Sequence, residues 1–458
     1  MSDPRAELAR IGGFLREAAD LGAAFREALP TRPVIAPRPF RPEGPLPERG
    51  RGTEAVLAQV ARDILPALSA SAGPRYLGFV TGGSTPAALV GDVLVASADQ
   101  NLSDGSQATA TALQRHALVQ LRELFGLPGA FEGTFVTGGT QANLVGLAVG
   151  RQWAAARLGY DAAEEGLTAR DPIPLLAASP HASLLKAAAI LGLGRRSWVP
   201  VASHPGTEIL DPEALEAALE AHGGRPTLVA ASAATVTTTA FDDLARIADL
   251  CERHGAYLHV DGAFGLFAAA SPRFAARLEG LERADSVATD AHKWLNVPYD
   301  AGLLFTRHAD LQAQVFKASA AYLGSGPDFF HHSPENSQRW RGLPTWMTLQ
   351  AYGREGVRTL VERSCDLASQ LGAWVEASPD YDLLAPVTFN IACFAPTFAE
   401  APKVLDWLAR DGRCFLTPGA WRGRSALRAA FSNFMTSDAD LAQVIHALEA
   451  AARELRPC

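Results

Sequence analysis

The stretch HVDGAFGLFAAASPRFAARLEGLERADSVATDAHKWLNVPYDAGLLF, residues 259–305, decides the fold. Just before and into it, residues 256–260 form a short β-type run that ends on a carboxylate, Asp261; a second such run, 285–289, is followed closely by Lys293. Apolar runs this short, bounded by glycine and polar residues, read as buried strands. In an open α/β sheet the residues just past the strand ends meet along one edge, which is where ligands bind. An acid and an amine therefore converge there.

A lysine and an aspartate so placed suit pyridoxal 5′-phosphate. The amine condenses with the cofactor aldehyde, and the carboxylate keeps the pyridine nitrogen protonated, so the ring accepts electrons from a bond breaking at the substrate α-carbon. Only four lysines are present, Lys186, Lys293, Lys317 and Lys403. Arginine does not lose its proton near neutrality and cannot take the role.

Working upstream, strand, turn and helix alternate. Residues 133–137 read as a strand, Gly138-Gly139-Thr140 as a turn and 141–153 as a helix with apolar residues at helical spacing. Free N–H groups and partial positive charge at such a helix start suit a phosphate. Alone, Gly-Gly-Thr is an ordinary turn; its weight comes from the lysine stretch downstream. Residues 175–179 are the next strand, with His181 opening a helix, where a histidine is most often a cap or a surface residue. Residues 227–232 are another strand, leading to Thr235, and Asp242 reads as a cap for the helix beginning at Leu244. His259 and Asp261 share a strand face, but no third ligand stands at metal-site spacing, so no metal is expected.

His259-Val-Asp261-Gly-Ala263, Ala284-Asp-Ser286 and Asp290-Ala-His292-Lys293-Trp294 together resemble the PLP-dependent group II amino-acid decarboxylase family, which includes aromatic amino-acid and glutamate decarboxylases. The resemblance covers roughly residues 55–440. It implies the aspartate-aminotransferase-like fold (fold type I), an α/β architecture in which a mostly parallel, seven-stranded-type sheet lies between helices. A helical and proline-rich dimerisation segment (1–72) precedes a large cofactor-binding domain (73–345), and an α+β small domain (346–458) follows. It also implies a homodimer with the active site near the subunit interface.

Residue by residue, the resemblance places His181 over the cofactor face and Gly138, Gly139, Thr140, Thr235, Ala263, Asp290 and His292 around the cofactor with Asp261 and Lys293. Phe79 falls at the substrate entrance, and Arg428 is a candidate for a substrate carboxylate. In the family a loop tyrosine is thought to protonate the carbanion; here Phe329 stands nearest that position, which leaves Tyr322, His331 and His332 as substitutes. Further departures are Gln114 in place of glutamate, Ala234, Val236 and Thr239 in the threonine-rich turn, Gln338 in place of arginine and Pro344 in place of lysine.

Composition narrows the rest. The chain has 458 residues, enough for a large domain with smaller ones. A net charge of −8 argues against a nucleic-acid partner. The N-terminus mixes acids and bases as in an amphipathic helix, with Leu8, Ile11, Phe14, Leu15 and Leu21 on one side and no signal-peptide core. No run reaches the roughly 20 apolar residues of a membrane span. Five scattered cysteines fit a reducing cytoplasm better than a disulfide framework. The expectation is thus decarboxylation of an L-amino acid to its amine and carbon dioxide. The alternatives are aldehyde-forming oxidative decarboxylation, transamination or a C–C lyase step on the same cofactor, or an inert cofactor-binding dimer.

Overall fold

Seven short strands, β1 (Glu132–Val136), β2 (Leu175–Ala177), β3 (Trp198–Pro200), β4 (Leu228–Ser232), β5 (Tyr257–Asp261), β6 (Ser286–Asp290) and β7 (Gly302–Thr306), form one sheet. The computed structural model describes residues 3–36, 38–102, 108–167, 172–318 and 328–456. The strand order is β1-β7-β6-β5-β4-β2-β3. β3, β2, β4, β5 and β6 run parallel to their neighbours, whereas β7 lies antiparallel between β6 and β1. The exception has a simple cause. A parallel return needs a crossover of a dozen or more residues, and between β6 and β7 stand only residues 291–301, with a single short helix, Ala291–Trp294.

Every residue of β2, β4, β5, β6 and β7 is buried. Strands covered on both faces read as continuous apolar runs rather than alternating ones. The helix Gly139–Arg157 covers this sheet at very close range: a Cβ on Gly146 would lie 2.5 Å from His259 Cε1, and one on Gly150 would lie 3.0 Å from the Tyr257 ring. Small residues one turn apart thus let the helix backbone settle onto β5.

A second sheet, wholly antiparallel, has β8 (Tyr381–Leu383), β9 (Ile391–Pro396), β10 (Thr417–Trp421) and β11 (Arg424–Ala430) in the order β10-β11-β9-β8. Its core gathers Phe394, Leu427, Phe431, Val444 and Leu448. One long helix, Gly342–Ala377, serves both cores: Val357, Val361 and Cys365 join the large sheet's core, and Leu367, Leu371 and Val375 join the second. The helix is broken at Gly353 (φ 58°, ψ −169°), a conformation that glycine adopts at little cost.

At the N-terminus a 3₁₀ turn, Pro4–Arg10, runs into the helix Ile11–Ala28. Of its apolar side Phe14 is buried, while Leu8, Ile11 and Leu15 are exposed. The proline-rich segment forms neither helix nor strand over its described residues. The helix Thr53–Gln59 continues through irregular turns to Ala67, where Pro66, lacking an N–H, cannot extend an α-helix. Arg75 then meets Asp440 of the last helix, Asp438–Leu455, in a buried ion pair at 3.1 Å. Among the described residues no helix is long and apolar enough to cross a membrane.

Candidate active site

A cavity of about 490 Å³ opens at the edge where β4, β5 and β6 end. Phe79, Gly138, Gly139, Thr140, His181, Thr235, Asp261, Ala263, Asp290, His292, Lys293 and Arg428 all line it. Residues far apart in the chain are there because β1, β4, β5 and β6 all end toward this side.

The turn after β1 leads straight into the helix Gly139–Arg157. Gly138 is its extended N-cap, and its carbonyl accepts from Gln141 N and Ala142 N, both at 2.9 Å. The N–H groups of Gly139 and Thr140, in the first helical turn, have no partner within the helix and border the cavity. Gln141 folds back, its Oε1 accepting from Thr137 N and Thr137 Oγ1 at 2.7 Å each. A Cβ on Gly138 would come 3.3 Å from His292 Cε1, so the turn has little room for a side chain.

After β6 the short helix carries Lys293 into the cavity. Its Nζ lies 2.6 Å from Asp290 Oδ2 and 5.0 Å from the centre of the Phe264 ring. Asp290 is 1% exposed, and its Oδ1 has no hydrogen-bond partner among the described residues. Trp294, fully buried in the core, donates its indole N–H to Phe264 O at 2.7 Å and so anchors the helix. His292 Nδ1 accepts from Ala301 N at 3.3 Å, and its ring packs against Tyr299 at 4.5 Å. Burial holds the His292 imidazole below its usual range, hence neutral, and pushes the Tyr299 phenol up to about 12.

Asp261 ends β5. Its Oδ2 accepts from Asn143 Nδ2 at 2.9 Å and its Oδ1 from Ala263 N at 3.2 Å. The same Asn143 amide reaches Ser183 Oγ at 2.9 Å, and Ser183 Oγ lies 2.7 Å from His181 Nδ1. On its other side Asn143 Oδ1 meets His259 Nε2 at 2.9 Å, and His259 Nδ1 meets Ser286 Oγ at 2.8 Å. His259 is completely buried, which depresses its pKa to about 4. Both its ring nitrogens are engaged. His181 opens on the cavity; desolvation by its surroundings lowers its pKa, more than Asp261 raises it.

Thr235 lies in the cavity wall with its hydroxyl donor already used, bonded to Glu208 Oε2 at 2.5 Å, and it accepts from Ala240 N at 3.1 Å. It can therefore receive a hydrogen bond from a ligand but has none to give. Glu208, which the sequence did not single out, also takes Thr238 Oγ1 at 2.7 Å. Arg428 on β11 is 8% exposed, its Nε has no partner among the described residues, and burial lowers its pKa to about 10. Phe79 stands at the mouth, 61% exposed, at a positive φ shared with the next residue, Val80, which is buried among Ala234, Ala263 and Phe264.

Two candidates lie outside this cavity of the single chain, and one helix cap is reassigned. Phe329 and His332 do not line the cavity: they border another pocket with Leu118, Phe131 and Glu132, and Phe329 is buried under the Arg115 guanidinium at 5.2 Å. An apolar ring is better buried in that core than held at a wet entrance. Tyr322 lies outside the described residues. Asp242 is not the helix cap; Asp243 is, accepting from Arg246 N at 3.0 Å. Asp242 is instead buried, taking Leu210 N and Ser232 N at 2.7 Å each, and burial raises its pKa to about 6.

Comparison with known proteins agrees with this geometry. Residues 39–396 match the family model described as "Pyridoxal-dependent decarboxylase conserved domain". The L-2,4-diaminobutyrate decarboxylase of Rhizobium meliloti (strain 1021) is 31% identical over 385 residues, 81% of this chain and 75% of its own. The aromatic-L-amino-acid decarboxylase of Bacillus atrophaeus is 25% identical over 437 residues, 90% of this chain and 89% of its own. The crystal structure of Oryza sativa TDC with PLP and tryptamine superposes with a TM-score of 0.90 at 21% identity, covering 100% of both chains.

Proposed function

The chain belongs to the pyridoxal-dependent decarboxylase family, and from that premise we propose that it removes the α-carboxylate of an L-amino acid as carbon dioxide and releases the amine, with Lys293 as the residue that holds the cofactor. One observation carries the reading: Lys293, Asp261 and the N-terminal turn of the helix Gly139–Arg157 all face one cavity.

The residues present fit the cofactor. The glycine turn leaves space and N–H groups for a phosphate, the buried Asp290 Oδ1 lacks a partner among the described residues, and Asp261, held by two donors, lines the same cavity. When bound, pyridoxal 5′-phosphate supplies an aldehyde for an amine and a ring that accepts electrons from the α-carbon. The chain's own part is positional and electrostatic. Lys293, whose Nζ lies 2.6 Å from Asp290 Oδ2, would hold the cofactor through its amine. Asp261 would face the ring nitrogen and His181 would lie against the ring, while Arg428, whose Nε has no partner among the described residues, would meet the substrate carboxylate. Phe79 and Tyr299 bound the mouth and favour an aromatic or apolar side chain.

The absence of a tyrosine where Phe329 stands supports a second reading, aldehyde-forming oxidative decarboxylation, in which dioxygen is reduced to peroxide and ammonia leaves. We also propose a division at residues 72 and 345, a cytoplasmic location and a homodimer. The four described cysteines are buried and free, as in a reducing compartment, and Val90, Val93 and Leu94 form an exposed apolar face on the helix Pro86–Ala98 suited to a second copy.

The test is to add the cofactor to the purified chain, record its absorbance, and follow carbon dioxide release from each of the twenty amino acids. A visible imine band that is lost in Lys293→Ala, with release from at least one amino acid, is expected. A band that survives the substitution sinks the assignment.

A further inference from the structure

We propose that Asn143 is a positioning residue that ties Asp261 to His181 and fixes which nitrogen of His181 carries its proton. The proposal rests on the functional reading only for what Asp261 and His181 face; the placement of the proton does not depend on it.

The argument follows the direction of each hydrogen bond. Asn143 is 1% exposed and lies between the Asp261 carboxylate, the Ser183 hydroxyl and His259 Nε2. Turned the other way, its oxygen would face the Asp261 carboxylate, two acceptors with no hydrogen between them. The amide must therefore donate both its hydrogens, one to Asp261 Oδ2 and one to Ser183 Oγ, and accept at Oδ1. Acceptance at Oδ1 makes His259 Nε2 a donor. His259 is neutral, so its Nδ1 is bare and takes the Ser286 hydroxyl hydrogen at 2.8 Å.

On the other arm Ser183 Oγ already receives from Asn143, and its own hydrogen turns to His181 Nδ1 at 2.7 Å. The Ser183 backbone N–H points at the same nitrogen from 3.3 Å. Two donors converge on Nδ1, so the neutral ring carries its proton on Nε2. A donor N–H over the cavity can bond a substrate carboxylate; the opposite tautomer would set a lone pair against it. One buried amide thus holds the Asp261 carboxylate and sets the polarity of the His181 imidazole.

The readout is the proton itself. Long-range ¹H–¹⁵N spectra of the full chain, histidine-labelled and free of cofactor, with His181→Gln and His259→Gln for assignment, report both tautomers. We expect the Nε2–H form at both sites. Ser183→Ala should weaken the preference at His181 by about fivefold, the loss of one neutral hydrogen bond, and leave His259 unchanged; Ser183→Thr should restore it. Asn143→Ala should disturb both rings and raise the Kd for pyridoxal 5′-phosphate by about tenfold, against about twofold or less for Ser183→Ala. Unaltered His181 spectra in Ser183→Ala, or equal disturbance at His259, overturn the proposal, and the serine variants decide it should Asn143→Ala fail to fold. A wild-type chain that shows these tautomers but binds no cofactor would defeat the functional reading and leave the proton assignment standing.

Discussion

A Cβ on Gly139 would come within 2.6 Å of Asp290 Oδ2, the same oxygen that lies 2.6 Å from Lys293 Nζ. The first turn of one helix, the end of β6 and the reactive amine are in contact as a group. Gly139→Ala must push the Asp290 carboxylate aside and with it the lysine. We predict a normal far-ultraviolet circular dichroism spectrum and a cofactor Kd raised by at least about tenfold, roughly the cost of one charge-assisted hydrogen bond. Unchanged affinity would show that the phosphate seat is elsewhere.

Arg428 offers a second test. Its Nε is buried without a partner among the described residues, an arrangement that a substrate carboxylate would complete. Arg428→Gln should raise KM by about 10- to 100-fold, the range for a hydrogen bond to a charged group. Arg428→Lys should restore only part of it, because the ammonium lacks the planar fork. Steady-state kinetics on the best substrate decide, and an unchanged KM removes Arg428 from the site.

Two buried groups set opposite pH slopes on stability. His259 falls from 6.5 to about 4 on folding, so the unfolded chain binds the extra proton and stability is lost as pH drops from 6.5 toward 4, on the order of 3 kcal/mol. Asp242 rises from 3.8 to about 6, so its contribution is full below 3.8 and is lost as pH climbs through 6, by a similar amount. Urea midpoints measured between pH 4 and 7 should therefore diverge. Relative to wild type, His259→Gln gains ground on acidification and Asp242→Asn loses it; parallel curves would contradict both assignments.

Product balance separates the two reactions. Simple decarboxylation gives amine and carbon dioxide in equal amounts with neither ammonia nor peroxide, and that is the expected result. Peroxide and ammonia in step with carbon dioxide would instead establish the oxidative route that Phe329 leaves open.

What the sequence revealed was whatever chemistry is written locally. Gly138-Gly139-Thr140 and Lys293 sit just past strands and Asp261 ends one, and period and turn residues placed those strands to within a residue or two. The bonds of the Asn143 network were not legible for the opposite reason: Asn143, Ser183, His259 and Ser286 meet only through tertiary packing, and although His259 and Ser286 fall in the motifs that carry the resemblance, nothing local shows what they bond to. A faint signal existed in Gly146 and Gly150, whose spacing permits close contact with β5. Asp242 and Asp243 were confused because adjacent aspartates before a helix are equal candidates by pattern, and burial alone tells them apart. Phe329, the position nearest the family's loop tyrosine, and His332, a substitute for it, border another pocket of this chain, where packing puts the phenylalanine in a core.

β7 runs back alongside β6, so the amine rides on a tight return between neighbouring strands, clamped at one end by Asp290 and at the other by Ala301, which donates to His292. Loss of freedom in that link is settled once, when the chain folds. Each incoming amino acid then meets a lysine whose position is already set, and its own binding energy is left for holding the bond to be broken upright.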